Sequence, residues 1–233
     1  MRKHVLITGA SGGIGKEVCD KFIEQDYNIT ALSNEFGDFV HRNHSRVECI
    51  EFDLTKISEI PNVISSLPKI DTLVNNAGVM FSSPYDEYPE KLKALTIKVN
   101  LEAPITLVTE VARQMKQQGS GRIVNNTSIA AHIGHPDIWY GVTKSGLLNA
   151  TKSFAKLLGP HGVMVNAIAS GPVMTPMMES IDKDRLDKIK DSSLTGRFAY
   201  PEEVADTIVW LGSCSPKYIN GSCIDINDGA YFR

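Results

Sequence analysis

The sequence predicts an α/β fold: a single doubly wound parallel sheet of about seven strands with helices on both faces. Three observations lead there. Strand-like and helix-like segments alternate from end to end, which requires right-handed crossovers between parallel strands. The strand-like runs are nearly continuously apolar, as expected of a sheet covered on both faces. A glycine-rich loop joins the first strand directly to the first helix.

Taken in order, strands are expected at 4–8 (HVLIT), 28–32 (NITAL), 46–52 (RVECIEF), 71–76 (DTLVNN), 121–128 (GRIVNNTS), 162–169 (GVMVNAIA) and 222–227 (SCIDIN). Helical spacing marks 13–25, 55–66, 87–117, 138–158 and 201–213. Pro104 lies inside the third of these, so a break or kink is expected before it, near Asn100. Pro201 followed by Glu202 and Glu203 fits a helix start, with acid at the positive end of the dipole. No linker, repeat or low-complexity tract interrupts the rhythm, so residues 1–233 are expected to form one domain.

Composition narrows the function classes. Of 233 residues, 42% are hydrophobic and 22% charged, and the net charge of -3 argues against a general nucleic-acid binder. No apolar run approaches the roughly 20 residues of a membrane span. The run VLITG near the N-terminus is too short for a signal peptide, so a cytoplasmic location is expected. Cys19, Cys49, Cys214 and Cys223 are scattered without Cys-x-x-Cys spacing, so neither a metal site nor a disulfide is expected. These thiols read as small buried hydrophobes.

Two local motifs carry chemistry. In VLITGASGGIG, Gly9, Gly13 and Gly15 leave room for backbone to approach a pyrophosphate, whose charge the helix amides and dipole favour. In WYGVTKSG, Tyr140 stands one helical turn before Lys144, the only one of the seven tyrosines with lysine at that spacing. A phenol has a pKa of about 10, and bringing it near neutrality takes roughly 4 kcal/mol of differential stabilisation. An exposed ion pair supplies at most about 1 kcal/mol, so Lys144 must act in a poorly solvated site.

TGASGGIG resembles the cofactor loop of the short-chain dehydrogenase/reductase family, a Rossmann-like fold. The likeness continues in chain order through FDLT with Asp53, NNAG (75–78), VNL with Asn100, NNTS with Ser128, YGVTK, and SGPVMT (170–175). It implies hydride exchange between a nicotinamide cofactor and a carbonyl group. Tyr140 would then be the proton donor, and Ser128 would hydrogen-bond the substrate oxygen. Lys144 would tune the phenol and hold the nicotinamide ribose, and Asn100 would fix a water in the proton path. Cofactor contacts are implied for Gly9, Ser11, Gly12, Gly13, Ile14, Gly15, Ser33, Asn34, Asp53, Leu54, Asn76, Ala77, Gly78, Gly171, Val173 and Thr175, alongside Tyr140 and Lys144. Asp53 would accept from the adenine amino group; on local grounds it reads equally well as a helix cap. Ser170 stands where the family usually has proline, and Gly12 where phosphate-preferring members often have a basic residue.

At the end of the second strand an acid would bind both adenosine-ribose hydroxyls and repel a 2′-phosphate. Ser33 and Asn34 stand there instead, which favours NADP(H) over NAD(H). His41, Arg42 and His44 read as a solvated basic face, or as added charge if 35–45 folds back. Residues 176–197 resemble the family's substrate lid, and His132, His135 and Met174, Met177 and Met178 are candidates to border the substrate. The C-terminal part most resembles 3-oxoacyl-(acyl carrier protein) reductases, implying a 3-oxoacyl thioester substrate and a possible acyl carrier protein partner. Two other readings stand beside it: an NAD-dependent dehydrogenase of a small alcohol, sugar or steroid, and a non-catalytic nucleotide-sensing scaffold. The resemblance also implies a homotetramer paired through 101–117, 140–158 and the C-terminal strand.

Overall fold

Seven parallel strands form one sheet in the order β3-β2-β1-β4-β5-β6-β7 in a computed structural model. It describes residues 2–81, 83–176, 178 and 183–233. The strands are β1 (His4–Thr8), β2 (Asn28–Ser33), β3 (Val47–Glu51), β4 (Thr72–Asn75), β5 (Gly121–Asn126), β6 (Val163–Ser170) and β7 (Cys223–Ile226). The helices are α1 (Gly13–Glu24), α2 (Ile60–Ser66), α3 (Glu90–Ile97), α4 (Ala103–Gln118), α5 (Ile138–Leu158), α6 (Lys183–Asp191) and α7 (Pro201–Ser213).

Strand periodicity divides the core in two. Val5, Ile7, Val74 and Val124 face the layer of α1 and α7, meeting Val18, Phe22, Val204 and Ile208. The intervening Leu6, Leu73 and Ile123 face the other layer, meeting Leu107, Val111 and Met115 of α4 and Leu158 of α5. Each fully buried side chain of this size contributes roughly 1.5–3 kcal/mol.

Element boundaries differ from expectation where proline and side-chain hydrogen bonds intervene. The irregularity expected before Pro104, near Asn100, is a π turn, Lys98–Glu102, through which α3 runs on into α4. Pro104 has no N–H for the Asn100 carbonyl four residues back, and the Ala103 amide reaches Lys98 O instead, widening the helix. The 55–66 helix is a 3₁₀ turn, Ile57–Glu59, followed by α2, whose first turn holds Pro61. β5 ends at Asn126 and does not reach Ser128. Thr127 still gives its amide to Ile168 O at 2.9 Å, whereas Ser128 opens a 3₁₀ turn, Ile129–Ala131. The start of α7 at Pro201 is as expected, and the Glu203 carboxylate accepts from the Tyr200 amide at 2.8 Å. Residues 177 and 179–182 of the expected lid lie outside the described residues; the remainder contains α6.

From β1 the chain runs outward to β2 and β3, then returns to β4 on β1's other side. That reversal leaves a crevice beyond the carboxyl ends of β1 and β4, where ligands bind in such sheets. Among the described residues, no helix is long and apolar enough to cross a membrane.

Candidate active site

A cavity of about 900 Å³ occupies this crevice. Its floor at one end is the glycine loop. Gly9 adopts φ +62°, and a Cβ there would stand 2.8 Å from Ala77 Cα. A Cβ on Gly15 would stand 2.0 Å from Gly9 O, so only glycine lets the loop fold down on the start of α1. The α1 N-cap, Gly12, offers no side-chain cap, and the first turn holds no acid. Its leading amides therefore have no side-chain competitor for an anion. The donor chemistry and the bare backbone fit a dinucleotide pyrophosphate.

At the adenosine end, Ser33 is buried and its hydroxyl accepts from the Ser11 amide at 3.1 Å. The Ser11 hydroxyl donates to Glu35 O at 2.8 Å, so the end of β2 and the glycine loop are locked together. Asp53 lines the same rim, and its Oδ1 accepts from the Thr55 amide at 2.8 Å. That bond holds its carboxyl below the usual carboxylate range. His41 pairs with Asp20 at 2.6 Å and Arg42 with Glu51 at 3.5 Å; neither they nor His44 line the cavity.

Side-chain amides join the two ends. Asn76 Nδ2 donates to the carbonyls of Thr8 and Gly9 at 3.2 and 3.1 Å, and Asn76 Oδ1 accepts from Asn126 Nδ2 at 3.0 Å. The Asn126 carbonyl in turn accepts from Lys144 Nζ at 2.8 Å. A chain of hydrogen bonds thus runs from the glycine loop to the lysine.

Tyr140 and Lys144 sit on the first turns of α5, where helical spacing puts both on the cavity side. Asp137 caps this helix: its Oδ1 accepts from the Tyr140 amide at 3.0 Å. The Lys144 ammonium lies 5.6 Å from the centre of the Tyr140 ring and is buried. Burial lowers its pKa to about 8. Burial also pushes the Tyr140 phenol up, opposed by a hydrogen bond with Ser128. Desolvation, not the neighbouring ammonium, therefore dominates the phenol, which stays protonated through neutral pH. The Ser128 hydroxyl additionally accepts from the Ala130 amide at 3.2 Å.

Ser128, Tyr140 and Lys144 converge on one cavity wall, and every residue expected to touch cofactor lines the cavity except Gly15. Gly15 lies behind the loop, against Gly9. Asn100 does not line the cavity either. Its amide is fully engaged: Oδ1 accepts from the Val79 amide and Nδ2 donates to the Val79 carbonyl, both at 2.8 Å. Nδ2 also approaches Thr143 Oγ1 at 3.4 Å, and the Asn100 main-chain carbonyl, to which Pro104 offers no N–H, remains the group that could hold a water. Of the substrate candidates, His135 and Met178 line the cavity, whereas Met174 is exposed and His132 turns away; Met177 lies outside the described residues. Sequence reasoning missed Asp137, Asn126 and Glu35. An aspartate directly before the α5 apolar run was a readable cap signal for the first; no local signal marked the other two.

A dinucleotide cradle facing a Ser–Tyr–Lys set whose serine and lysine are buried, on this sheet, defines an oxidoreductase of the nicotinamide-dependent class. The model of the short chain dehydrogenase family matches residues 3–186, and the chain belongs to that family. It is 31% identical over 243 residues to the 3-oxoacyl-[acyl-carrier-protein] reductase FabG of Staphylococcus epidermidis, covering 99% of this chain and 100% of that protein. Among solved structures it resembles ElxO with NADP bound, at a TM-score of 0.89 and 27% identity, covering 99% of each chain. It also resembles a provisionally assigned NAD(P)-dependent gluconate 5-dehydrogenase of Beutenbergia cavernae with NADP bound at low occupancy. There the TM-score is 0.92 and the identity 27%, covering 98% of this chain and 96% of that one.

Proposed function

We propose that this chain is an NADP(H)-dependent carbonyl reductase that converts 3-oxoacyl thioesters to 3-hydroxyacyl thioesters. The observation that carries the reading is the convergence of Ser128, Tyr140 and buried Lys144 on the cavity, with the Lys144 ammonium 5.6 Å from the centre of the Tyr140 ring. When bound, the dinucleotide supplies the hydride. Ser128 holds the substrate carbonyl oxygen, and Tyr140 donates the phenolic proton to it as negative charge develops. Lys144 stabilises the phenolate left behind and draws the ribose into place. Asn100 is also a positioning residue: its side chain clamps Val79, beside Gly78, where a Cβ would stand 3.4 Å from Lys144 Nζ and 3.5 Å from Asn100 Oδ1.

Neutral Ser33 and Asn34 on the adenosine rim, and the NADP held by the two solved relatives, support NADP(H). Val79, Met80, Ile133, Pro172, Met178 and Ile189 line the cavity and supply the apolar surface an acyl chain requires. The lid of this reading is 176–197, from which Pro176, Met178, Ile189 and Ser192 line the cavity. The same reading gives a single-domain enzyme of the cytoplasm, taking its acyl group on a carrier protein. It also gives a homotetramer, for which exposed Val142 and Leu157 on α5 offer apolar contact. The likeness to a sugar-acid dehydrogenase keeps one second reading, oxidation of a small hydroxylated substrate.

Steady-state assay of a panel of 3-oxoacyl thioesters, small ketones and sugar acids, each with both nicotinamides, decides between them. The highest kcat/KM is expected for a 3-oxoacyl thioester with NADPH. A higher value for a sugar acid with an oxidised nicotinamide would replace the first reading with the second.

A further inference from the structure

We propose that His132, Cys223 and Asp225 form a binding site for a borderline-soft divalent cation of the zinc type, outside the catalytic cavity. One ligand atom from each lies within 4.8 Å of the other two, the one such group among the described residues. Cys223 and Asp225 are two apart on β7, so both side chains leave the same face of this edge strand. His132 comes from the other side, just beyond the 3₁₀ turn that begins at Ser128. Ligands of one tetrahedral zinc lie about 3.3–3.6 Å apart, so closure asks for side-chain movements of about 1 Å.

Two further observations point to a ligand. His132 Nε2 and Asp225 Oδ1 face each other at 4.0 Å, are shielded from solvent, and have no hydrogen-bond partner. Buried polar atoms are rarely left so. The surroundings also resemble a supporting shell: Arg233 Nε binds Asp225 Oδ2 at 2.8 Å, leaving Oδ1 turned inward, and the His132 ring stacks on Tyr231 at 5.6 Å. On coordination the Cys223 thiol proton leaves to solvent and the sulfur lone pair forms the bond. A His–Cys–Asp donor set suits zinc, with water completing the fourth position.

His132 ends the 3₁₀ turn that Ser128 opens. An ion here would therefore staple the loop that carries Ser128 to the edge of the sheet.

The test is titration of chelator-treated protein with Co²⁺ and Zn²⁺. Expected are one Co²⁺ per chain with a thiolate-to-cobalt charge-transfer band, displacement by Zn²⁺, and a Tm raised by Zn²⁺. Cys223→Ser should abolish the band, and His132→Gln should weaken Co²⁺ binding by at least about tenfold. His44→Ala should leave both unchanged. If Cys223→Ser does not fold, alkylation of Cys223 in the unsubstituted protein replaces it: protection by Zn²⁺ supports the site, and unchanged labelling overturns it. Absence of the band at millimolar Co²⁺, or its survival in Cys223→Ser, overturns the proposal.

Discussion

Asp137 holds Tyr140 by its backbone: one carboxylate oxygen accepts the Tyr140 amide at 3.0 Å, fixing where α5 begins. The other oxygen accepts from the Phe81 amide at 2.9 Å and the Tyr88 hydroxyl at 3.3 Å. One buried carboxylate thus ties α5 to the loop beside the cavity. Asp137→Ala removes a cap and leaves two donors unpaired, which should cost about 2–3 kcal/mol in urea unfolding. Catalysis should fall through kcat, with the KM for NADPH little changed, because the cofactor cradle is built from other elements.

Lys144 makes stability depend on pH in a defined direction. Its pKa of about 8 in the fold lies below the 10.5 of the free side chain, so the unfolded chain binds more protons between those values. The unfavourable contribution is fully present below pH 8 and fades as pH rises toward 10.5. It amounts to on the order of 3 kcal/mol at neutrality. Lys144→Met should therefore gain on the unsubstituted protein most at pH 7. The difference in unfolding free energy between the two should shrink by roughly 2–3 kcal/mol by pH 10. A pH-independent difference would place the ammonium in water.

The cofactor rim makes a selectivity prediction. Ser33 holds the Ser11 amide through an oxygen that aspartate also possesses, so Ser33→Asp should keep the loop closed while adding a negative charge. The ratio of kcat/KM for NADPH to that for NADH should fall by about tenfold or more, the sign set by repulsion of a 2′-phosphate. An unchanged ratio would move 2′-phosphate recognition elsewhere.

Gly15 tests the cradle by shape. Its missing Cβ would meet Gly9 O at 2.0 Å, and the obstacle is backbone, which cannot rotate aside. Gly15→Ala should destabilise the fold by about 1–3 kcal/mol and abolish NADPH binding in a fluorescence titration.

Much of this was legible in the sequence because its signals are local. The glycine loop, the Tyr140–Lys144 spacing and the apolar strand runs each fit within a dozen residues, and the sheet brings them together as expected. What stayed hidden depends on pairing between distant segments. Asn76 and Asn126 meet only because β4 and β5 are neighbours in register, with Asn75 beside Asn125. His132 approaches Cys223 and Asp225 only because β7 adds to the sheet beside β6, so cysteine spacing alone does not reveal the cluster. Asn100 was readable as a helix irregularity, but the clamp on Val79 needed the loop's path. The end of β5 was misplaced because Thr127 keeps its strand-like hydrogen bond while Ser128 has already turned.

The central claim is that the Tyr140 hydroxyl delivers the proton that accompanies hydride transfer. Single-turnover oxidation of NADPH by a 3-oxoacyl thioester, comparing Tyr140→Phe with the unsubstituted chain, tests it most directly. The rate should drop by roughly 10²–10⁴-fold while NADPH still binds, the span that loss of a positioned general acid produces. Hydride transfer in Tyr140→Phe at a rate close to that of the unsubstituted chain would contradict it.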